Sequence, residues 1–175
     1  LRLAKPKLWW PAGLGAPHLY TLQVEAKAKS RQSAEQKIHF GIRKIETGMN
    51  PSSQSRWFKI NGRPLFLQGG NWVIDMMLNW TASRYRDEIA LTRQANLNFL
   101  RIWGPTGVPP ESFYDAADRE GILLHQDFLN DWWGTEHNLP DSRPPLALVE
   151  QATTAIIKKG RNHPSIFLWC GGNEG

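Results

Sequence analysis

The segment that decides the fold is residues 98–127, NFLRIWGPTGVPPESFYDAADREGILLHQD. An apolar strand pattern over 99–103 is followed by a helix pattern over 110–120 and a second apolar strand pattern over 122–127. Proline in the first turn of this helix and Gly121 after its last turn are typical helix boundaries. Short apolar strands separated by helices are typical of a parallel sheet covered on both faces, so the segment predicts a β-α-β unit.

The alternation of helices and strands continues on both sides of this unit. Helices are predicted over 83–96 and 146–160, and a further strand over 166–170. Upstream, 57–67 predicts two short strands around an Asn-Gly turn, and 69–72 a loop whose glycines let the backbone approach a ligand. A (β/α)₈ barrel and a doubly wound sheet both fit this order. No G-x-G-x-x-G motif follows the first strand, which disfavours a nucleotide-binding sheet.

The first third of the chain has a different pattern. Residues 20–29 alternate between apolar and polar side chains, which predicts a half-buried antiparallel strand. A turn is expected over 30–36, and the alternation resumes over 38–42. The two strands predict a hairpin from a β-sandwich. Residues 49–55, rich in Asn, Pro and Ser, are interpreted as a linker.

Composition excludes several classes of partner. The 175 residues are 41% hydrophobic and contain no apolar run long enough to span a membrane, so no membrane partner is expected. The formal charge of +5 comes from scattered Lys and Arg residues, so no nucleic-acid partner is expected either. Cys170 is the single cysteine and lies in an apolar run, where a small buried side chain is expected.

Nine tryptophans are the unusual feature of the composition. Several of them, including Trp72 and Trp103, lie at the ends of predicted segments, beside Gly, Pro, Asn or Asp. Aromatic faces bury the C–H faces of sugars, so this placement suits a carbohydrate cleft. Ordinary packing in the core and at its rim explains the same placement.

Polar side chains collect where the predicted strands end. Asn71, Arg101, Asp127, Asn173 and Glu174 all occupy such positions, and the strand ends of a barrel converge on the face where active sites lie. Glu174 beside apolar walls would hold its proton near neutral pH, as a general acid requires, or it is simply a surface carboxylate. Arg101 and Asp127 either form a structural ion pair or serve a site, where Arg101 orients a catalytic carboxylate and Asp127 binds hydroxyls.

No cofactor or metal site is predicted from the sequence. The spacing around His125 and His163 does not match a zinc motif, so hydrogen bonds in the core or at helix ends are expected for both.

In their order along the chain, several motifs make it resemble glycoside hydrolase family 2, in the β-mannosidase-like branch. These motifs are Pro11-Ala12-Gly13, Pro17-His18-Leu19-Tyr20, Phe40-Gly41-Ile42-Arg43-Lys44, Ile60-Asn61-Gly62, Gly69-Gly70-Asn71-Trp72, Asn98 through Gly104, Gln126-Asp127-Phe128 and His163-Pro164-Ser165 through Asn173-Glu174. The resemblance implies an α/β fold in which the first half of a (β/α)₈ TIM barrel, strands 1–4, over 49–175, follows the end of an immunoglobulin-like β-sandwich domain over 1–48.

The resemblance also implies roles for single residues. Glu174 matches the general acid/base, Asn173 the residue that binds the sugar 2-hydroxyl, and Arg101 the arginine that orients the nucleophile. Trp72, Trp103 and Asp127 match positions that line the sugar subsite. The nucleophile of the family is a second glutamate after the seventh strand, which places it in the remainder of the same polypeptide, outside this chain.

The implied function is a retaining glycoside hydrolase that cleaves terminal β-linked sugars, above all β-mannosides, so the expected partner is an oligosaccharide or glycoside substrate. Exo-β-glucosaminidase is an alternative, although that branch tends to end the fourth strand in Gly-Ser-Asp rather than Asn173-Glu174. Departures from typical mannosidases over 73–77 and 104–107 leave the sugar open. A non-catalytic carbohydrate-binding relative is the alternative from another class.

Overall fold

The computed structural model describes residues 2–28, 31–104, 107–129 and 145–173. Its strands and helices are, in chain order, β1 (Tyr20–Ala28), β2 (Arg31–Phe40), β3 (Ile45–Met49), β4 (Arg56–Ile60), β5 (Arg63–Leu65), β6 (Gly69–Trp72), α1 (Ala82–Gln94), β7 (Phe99–Ile102), α2 (Glu111–Glu120), β8 (Leu123–Asp127), α3 (Leu146–Gly160) and β9 (Ile166–Cys170). The chain is therefore an α/β structure. Within the described ranges, no helix is both long enough and apolar enough to cross a membrane.

Four of these strands form a parallel sheet in the order β6-β7-β8-β9. The predicted β-α-β unit is confirmed as β7, α2 and β8. Pro110 occupies the N-cap position of α2 without a side-chain capping hydrogen bond, and Gly121 ends the helix in the left-handed conformation with φ 73°. Thr81 caps α1 by accepting a hydrogen bond from the Arg84 backbone N–H. These boundaries follow the turn and cap chemistry of the sequence closely.

Alternate residues of the parallel sheet face two different layers. One face carries Leu100, Ile102 and Leu124, which pack against Tyr85 of α1 and Phe113 of α2. Aromatic side chains pack against one another between this face and the helices, as in the edge-on pair of Tyr85 and Phe113 (ring centroids 5.8 Å apart). We call this face the helix face.

The other face, here the inner face, changes character along the strands. At the amino ends of the strands it is apolar, with Phe99, Leu123 and Phe167 packed together with Trp9 and the sheet β3-β4-β5. Towards the carboxyl ends it carries Arg101, His125 and Asp127 in alternate positions. The small antiparallel sheet therefore closes one end of the inner face, and the polar side chains lie at the other.

Two of the sequence interpretations are wrong. Residues 49–55 are not a linker: β3 pairs with β4, so they form a hairpin loop. The Asn-Gly turn is confirmed, with positive φ at Asn61 (50°) and Gly62 (81°), as a two-residue hairpin turn requires. Residues 69–72 are not a loop but strand β6, and a Cβ on Gly69 would approach the Phe99 carbonyl oxygen to 1.8 Å. Glycine is thus needed there for strand packing.

The amino-terminal hairpin is confirmed, but its turn is shorter than expected. β1 and β2 pair from Tyr20↔Phe40 to Ala28↔Arg31, so most of the stretch 30–36 belongs to β2. Tyr20 and Leu22 are half-buried, whereas Val24 beyond them is 48% exposed. The alternation that predicted a half-buried strand is therefore matched by burial only at the first residues of β1.

Arg43 joins the segment after this hairpin to the start of β9. Its guanidinium donates hydrogen bonds to the carbonyl oxygens of Pro164 and Ile166. Burial lowers the pKa of Arg43, and the nearby Asp118 carboxylate opposes that shift. Gly41 packs so closely on Trp9 and Pro164 that a Cβ would lie 2.8 Å from both side chains. The Phe40–Lys44 motif is thus a packing contact between the two parts of the chain.

Candidate active site

The carboxyl ends of the parallel strands bring Arg101, Asp127 and Asn173 together. Arg101 Nε lies 3.2 Å from Asp127 Oδ1, and Arg101 Nη2 lies 2.6 Å from Asp127 Oδ2. The same Nη2 atom donates to Asn173 Oδ1 at 2.8 Å. Three of the predicted site residues therefore form one hydrogen-bonded cluster, although 26 residues separate the first two and 72 separate Arg101 from Asn173.

The charged groups of this cluster are largely removed from solvent, which disfavours their charged forms unless they are paired. The Asp127 side chain is fully buried and that of Arg101 is 25% exposed. A buried carboxylate is stable only with a partner of opposite charge, and a planar guanidinium that donates two bonds is the best geometric match. The Gly104 backbone N–H adds a long contact of 3.4 Å to Asp127 Oδ2. Asp127 therefore holds Arg101 in place through an ion pair. An ion pair between these two residues was one of the two alternatives that the sequence left open.

The amide of Asn173 is oriented by the same guanidinium. Because Arg101 is only a donor, the Asn173 side chain must present its oxygen to Arg101 and its NH₂ group to the opposite side. Asn173 is buried, with 8% exposure. Arg101 therefore fixes the orientation of the residue that immediately precedes Glu174. Glu174 itself lies outside the described residues.

His125 and Cys170 lie beside this cluster on the inner face. Strand register places His125 opposite Arg101 and Cys170 opposite Asp127. The buried His125 Nε2 atom lies 3.4 Å from Asp127 Oδ1 without hydrogen-bond geometry, and it has no partner among the described residues. Burial lowers the pKa of His125; the Asp127 charge opposes this shift and the Arg101 charge adds to it.

Gln126 is a buried polar residue that the sequence interpretation missed. It is fully buried, accepts a hydrogen bond from Tyr114 Oη (2.6 Å), and donates from Nε2 to the Asp127 carbonyl oxygen (2.8 Å). Gln126 thereby ties α2 to the backbone of the residue that anchors Arg101. The sequence did carry a signal for this role, because Gln126 lies in the same strand as the apolar run Ile122-Leu123-Leu124. A buried amide in such a strand needs hydrogen-bond partners, here on the covering helix.

Trp72 does not join the cluster, contrary to its expected place in a sugar subsite. Its indole lies on the helix face, 4.4 Å from the Phe113 ring centroid, and Nε1 donates to Glu88 Oε2 at 2.8 Å. The reason is register: Trp72 pairs with Ile102 and Asn71 with Arg101. Since alternate residues face opposite sides, Asn71 shares the side of Arg101, and Trp72 lies in the core.

Trp103 follows β7 and is half-buried. Its backbone N–H donates to the Trp72 carbonyl oxygen at 3.2 Å, so the chain continues in the direction of the strand past Ile102. This keeps Trp103 at the carboxyl end of the sheet, directly before Gly104, whose backbone N–H contacts Asp127. The assignment of Trp103 to a sugar subsite therefore stays a prediction.

His163 belongs to a separate hydrogen-bond network with two residues of α2. Its Nδ1 atom lies 2.7 Å from Asp118 Oδ2 and its Nε2 atom 3.0 Å from Glu111 Oε1. Asp118 also accepts from the Ser165 backbone N–H, at 2.9 Å. Core hydrogen bonds were expected for this histidine and are observed. The residues join both ends of α2 to the turn before β9, which is a structural task.

Comparison with known proteins places the chain in a family. The family model described as Glycosyl hydrolases family 2 matches residues 1–43. Mannosylglycoprotein endo-beta-mannosidase of Lilium longiflorum is 35% identical over 97% of this chain and 18% of its own length. The chain belongs to glycosyl hydrolase family 2.

Other relatives of this family 2 chain differ in the sugars in their names. The beta-D-mannosidase structure from Dictyoglomus thermophilum matches with a TM-score of 0.86 and 35% identity, over 99% of this chain and 22% of that one. An exo-beta-D-glucosaminidase of Streptomyces avermitilis is 31% identical over 99% of this chain and 20% of its own length. The chain thus spans about a fifth of the length of these relatives.

Proposed function

We propose that this chain forms part of a retaining glycoside hydrolase that cleaves terminal β-linked sugars, with β-mannosides as the preferred substrates. The observation that carries the proposal is the Arg101–Asp127–Asn173 cluster at the carboxyl ends of parallel strands, directly before Glu174. Burying an ion pair costs desolvation energy, and an apolar replacement is often at least as stable. A buried ion pair at strand ends is therefore more typical of a functional site than of one that only stabilises the fold. Its position suits a group that must orient reacting carboxylates.

The fold proposal follows from the strand order. The sequential order β6-β7-β8-β9, with helices between β6 and β7, β7 and β8, and β8 and β9, is that of four successive units of a (β/α)₈ barrel. We therefore assign 49–175 to the first half of such a barrel and 1–48 to the end of an immunoglobulin-like sandwich. The sheet β3-β4-β5 lies across this boundary and closes the apolar end of the inner face.

In the proposed mechanism Glu174 is the general acid/base. It protonates the glycosidic oxygen while a second glutamate, supplied by the remainder of the same polypeptide, attacks the anomeric carbon. Glu174 then removes a proton from water as the water displaces the sugar from the enzyme. The two carboxyl groups of a retaining enzyme lie about 5–5.5 Å apart.

The remaining residues position these groups. Arg101 holds its guanidinium rigid against Asp127, which allows it to orient the nucleophile without moving during the reaction. Asn173 presents its amide NH₂ to the sugar 2-hydroxyl because its oxygen is held by Arg101. Trp103 lines the sugar subsite. Asp127 acts through Arg101 rather than by touching the sugar, because its side chain is fully buried.

A panel of aryl glycosides tests the substrate and the activity together. The full-length protein should hydrolyse aryl β-mannoside faster than the corresponding galactoside, glucuronide, glucoside and glucosaminide. Exo-beta-D-glucosaminidase is among the named relatives, so glucosaminide is the competing substrate. A clear preference for it would transfer the protein to that activity. No turnover of any member, with a second glutamate missing from the remaining sequence, would favour a carbohydrate-binding relative.

A further inference from the structure

We propose that His125, Asp127 and Cys170 form a binding site for one transition-metal ion of borderline softness, typified by Zn²⁺, on the inner face of the parallel sheet. The sequence predicted no metal site here, because the spacing around His125 does not match a zinc motif; the proposed site depends instead on a ligand from the neighbouring strand. It does not depend on the glycosidase activity proposed above, because its ligands can be tested by metal binding alone.

Strand register creates the site. Asp127 is two residues after His125 and therefore on the same face of β8, while Cys170 of β9 is the register partner of Asp127. The three ligand atoms, a histidine nitrogen, a carboxylate oxygen and Cys170 Sγ, all lie within 4.8 Å of one another. Only Cys170 comes from a distant part of the sequence, since α3 separates β9 from β8, which carries both His125 and Asp127.

An unsatisfied buried nitrogen points to a ligand at this place. His125 Nε2 is shielded from solvent and has no hydrogen-bond partner among the described residues. Buried polar atoms are satisfied in the great majority of cases, and each exception calls for an ion, a water molecule or a catalytic role. The neighbouring Asp127 Oδ1 and Cys170 Sγ supply the charge and the soft donor that a metal ion needs.

The distance between the His125 and Asp127 ligand atoms agrees with tetrahedral coordination. With Zn–N and Zn–O bonds of about 2.0 Å, two ligand atoms on one zinc ion lie about 3.3 Å apart. His125 Nε2 and Asp127 Oδ1 are already 3.4 Å apart. Sulfur needs about 3.5 Å to the same oxygen. Because the three ligand atoms already lie within 4.8 Å of one another, a movement of the thiol by at most about 1.3 Å is sufficient. It now donates to the Gly172 carbonyl oxygen at 3.1 Å and would exchange that weak bond for the metal.

The donor set selects the class of metal. One thiolate, one imidazole and one carboxylate suit Zn²⁺ or Co²⁺, whereas Mg²⁺ and Ca²⁺ prefer oxygen ligands only. Three protein ligands leave a fourth position for water. The Cys170 proton is released to solvent when the thiolate binds the metal.

Asp127 can serve the metal and Arg101 at the same time. The short contact from Arg101 Nη2 uses Oδ2, and only the longer Nε contact of 3.2 Å uses Oδ1. A metal on Oδ1 therefore replaces the Nε contact and leaves the Nη2 contacts to Asp127 and Asn173. The ion would sit directly beside the cluster and alter how firmly Arg101 is held.

Zinc titration of the full-length protein by calorimetry, with Zn²⁺ as the probe, tests the site. We expect one Zn²⁺ ion to bind, and we expect His125→Gln and Cys170→Ser each to weaken its binding at least about tenfold, since even supporting partners contribute roughly 10–100-fold. His39→Gln is the matched control, because His39 is an exposed histidine on β2 that contacts Thr21, and zinc affinity should not change. A loss of less than tenfold in either site variant overturns the proposal.

A second measurement needs no variant and so does not depend on how the variants fold. Zn²⁺ should slow alkylation of Cys170 by iodoacetamide at least about tenfold, whereas Mg²⁺ should leave the rate unchanged, as the donor preferences of the two ions require. Mass spectrometry of the peptide that contains Cys170 gives the rate. An equal alkylation rate with and without Zn²⁺ overturns the proposal even if zinc binds elsewhere on the protein.

Discussion

Arg101 and Asp127 are joined by two hydrogen bonds across neighbouring parallel strands, Nε to Oδ1 at 3.2 Å and Nη2 to Oδ2 at 2.6 Å. Such a fork matches the plane of a guanidinium to that of a carboxylate. Asn173 takes a third bond from the same guanidinium, at 2.8 Å. The proposed mechanism therefore depends on the shape of the Arg101 side chain as well as on its charge.

Arg101→Lys separates shape from charge. Lysine keeps a positive charge near the buried Asp127 but loses the planar fork. We expect kcat/KM to fall about 100-fold, comparable to the cost of a 1 Å misplacement in an active site, with a small change in Tm. Steady-state kinetics and thermal melting of the same preparation give both numbers.

Arg101→Met is the matched comparison for that variant. It leaves the fully buried Asp127 carboxylate without its cation, which costs about 3 kcal/mol or more. Its Tm should fall well below that of Arg101→Lys. If the two variants melt at the same lowered temperature and Arg101→Lys retains full activity per folded molecule, Arg101 has only a structural role.

Trp72→Phe tests the assignment of Trp72 to the core. The variant loses the indole hydrogen bond to Glu88 and part of the ring that packs on Phe113, at a cost of about 1–3 kcal/mol. We expect a lower Tm with unchanged KM for the preferred aryl glycoside. Trp103→Ala should raise KM, because Trp103 lies at the carboxyl end of the sheet. An increase in KM for Trp72→Phe at unchanged Tm would return Trp72 to the sugar subsite.

Local sequence signals predicted most helices and strands, but they did not predict on which face of the sheet Trp72 lies. The helices and strands of 83–170 were predictable because caps, apolar runs and glycine ends mark them locally. Residues 69–72 carry two glycines and looked like a loop, so the alternation of faces could not be applied to Trp72. Its position depends on pairing with β7, which is a relationship between residues 30 positions apart.

The candidate site shows the same division. Arg101 and Asp127 were recognisable as site residues because charged side chains in apolar strands require partners. That they pair with each other, and that Cys170 lies opposite Asp127, depends on strand register. No pattern within one strand encodes that register, so the His125–Asp127–Cys170 arrangement appears only when the sheet is assembled.

His163 makes part of the stability depend on pH. Burial disfavours its charged form, but the Asp118 hydrogen bond and the charges of Asp118 and Glu111 outweigh burial and raise its pKa. A raised folded pKa means that the stabilisation is complete below the unfolded pKa of about 6.5 and is lost as the pH rises through the folded pKa. The loss of Tm caused by His163→Gln should therefore be larger at about pH 5.5 than at about pH 8.5.

His39→Gln serves as the control for that pH series, since His39 is an exposed histidine that contacts Thr21 on the hairpin. Its effect on Tm should be small at both pH values. An equal loss of Tm at both pH values for His163→Gln would show that the imidazolium contributes no pH-dependent stability and that His163 acts only through packing against Tyr114.

Azide rescue of Glu174→Ala in the full-length protein is the most direct test of Glu174 as the acid/base of a double displacement. General acid–base assistance contributes roughly 10²–10⁴ in rate, and dinitrophenolate departs almost without it. With a dinitrophenyl glycoside the glycosyl-enzyme should therefore form and accumulate, because water lacks its base. Azide needs no deprotonation, so it should accelerate turnover and give a β-glycosyl azide, with the configuration of the substrate retained. An α-glycosyl azide would identify Glu174 as the nucleophile instead, and wild-type rates on natural oligosaccharides would remove it from the mechanism.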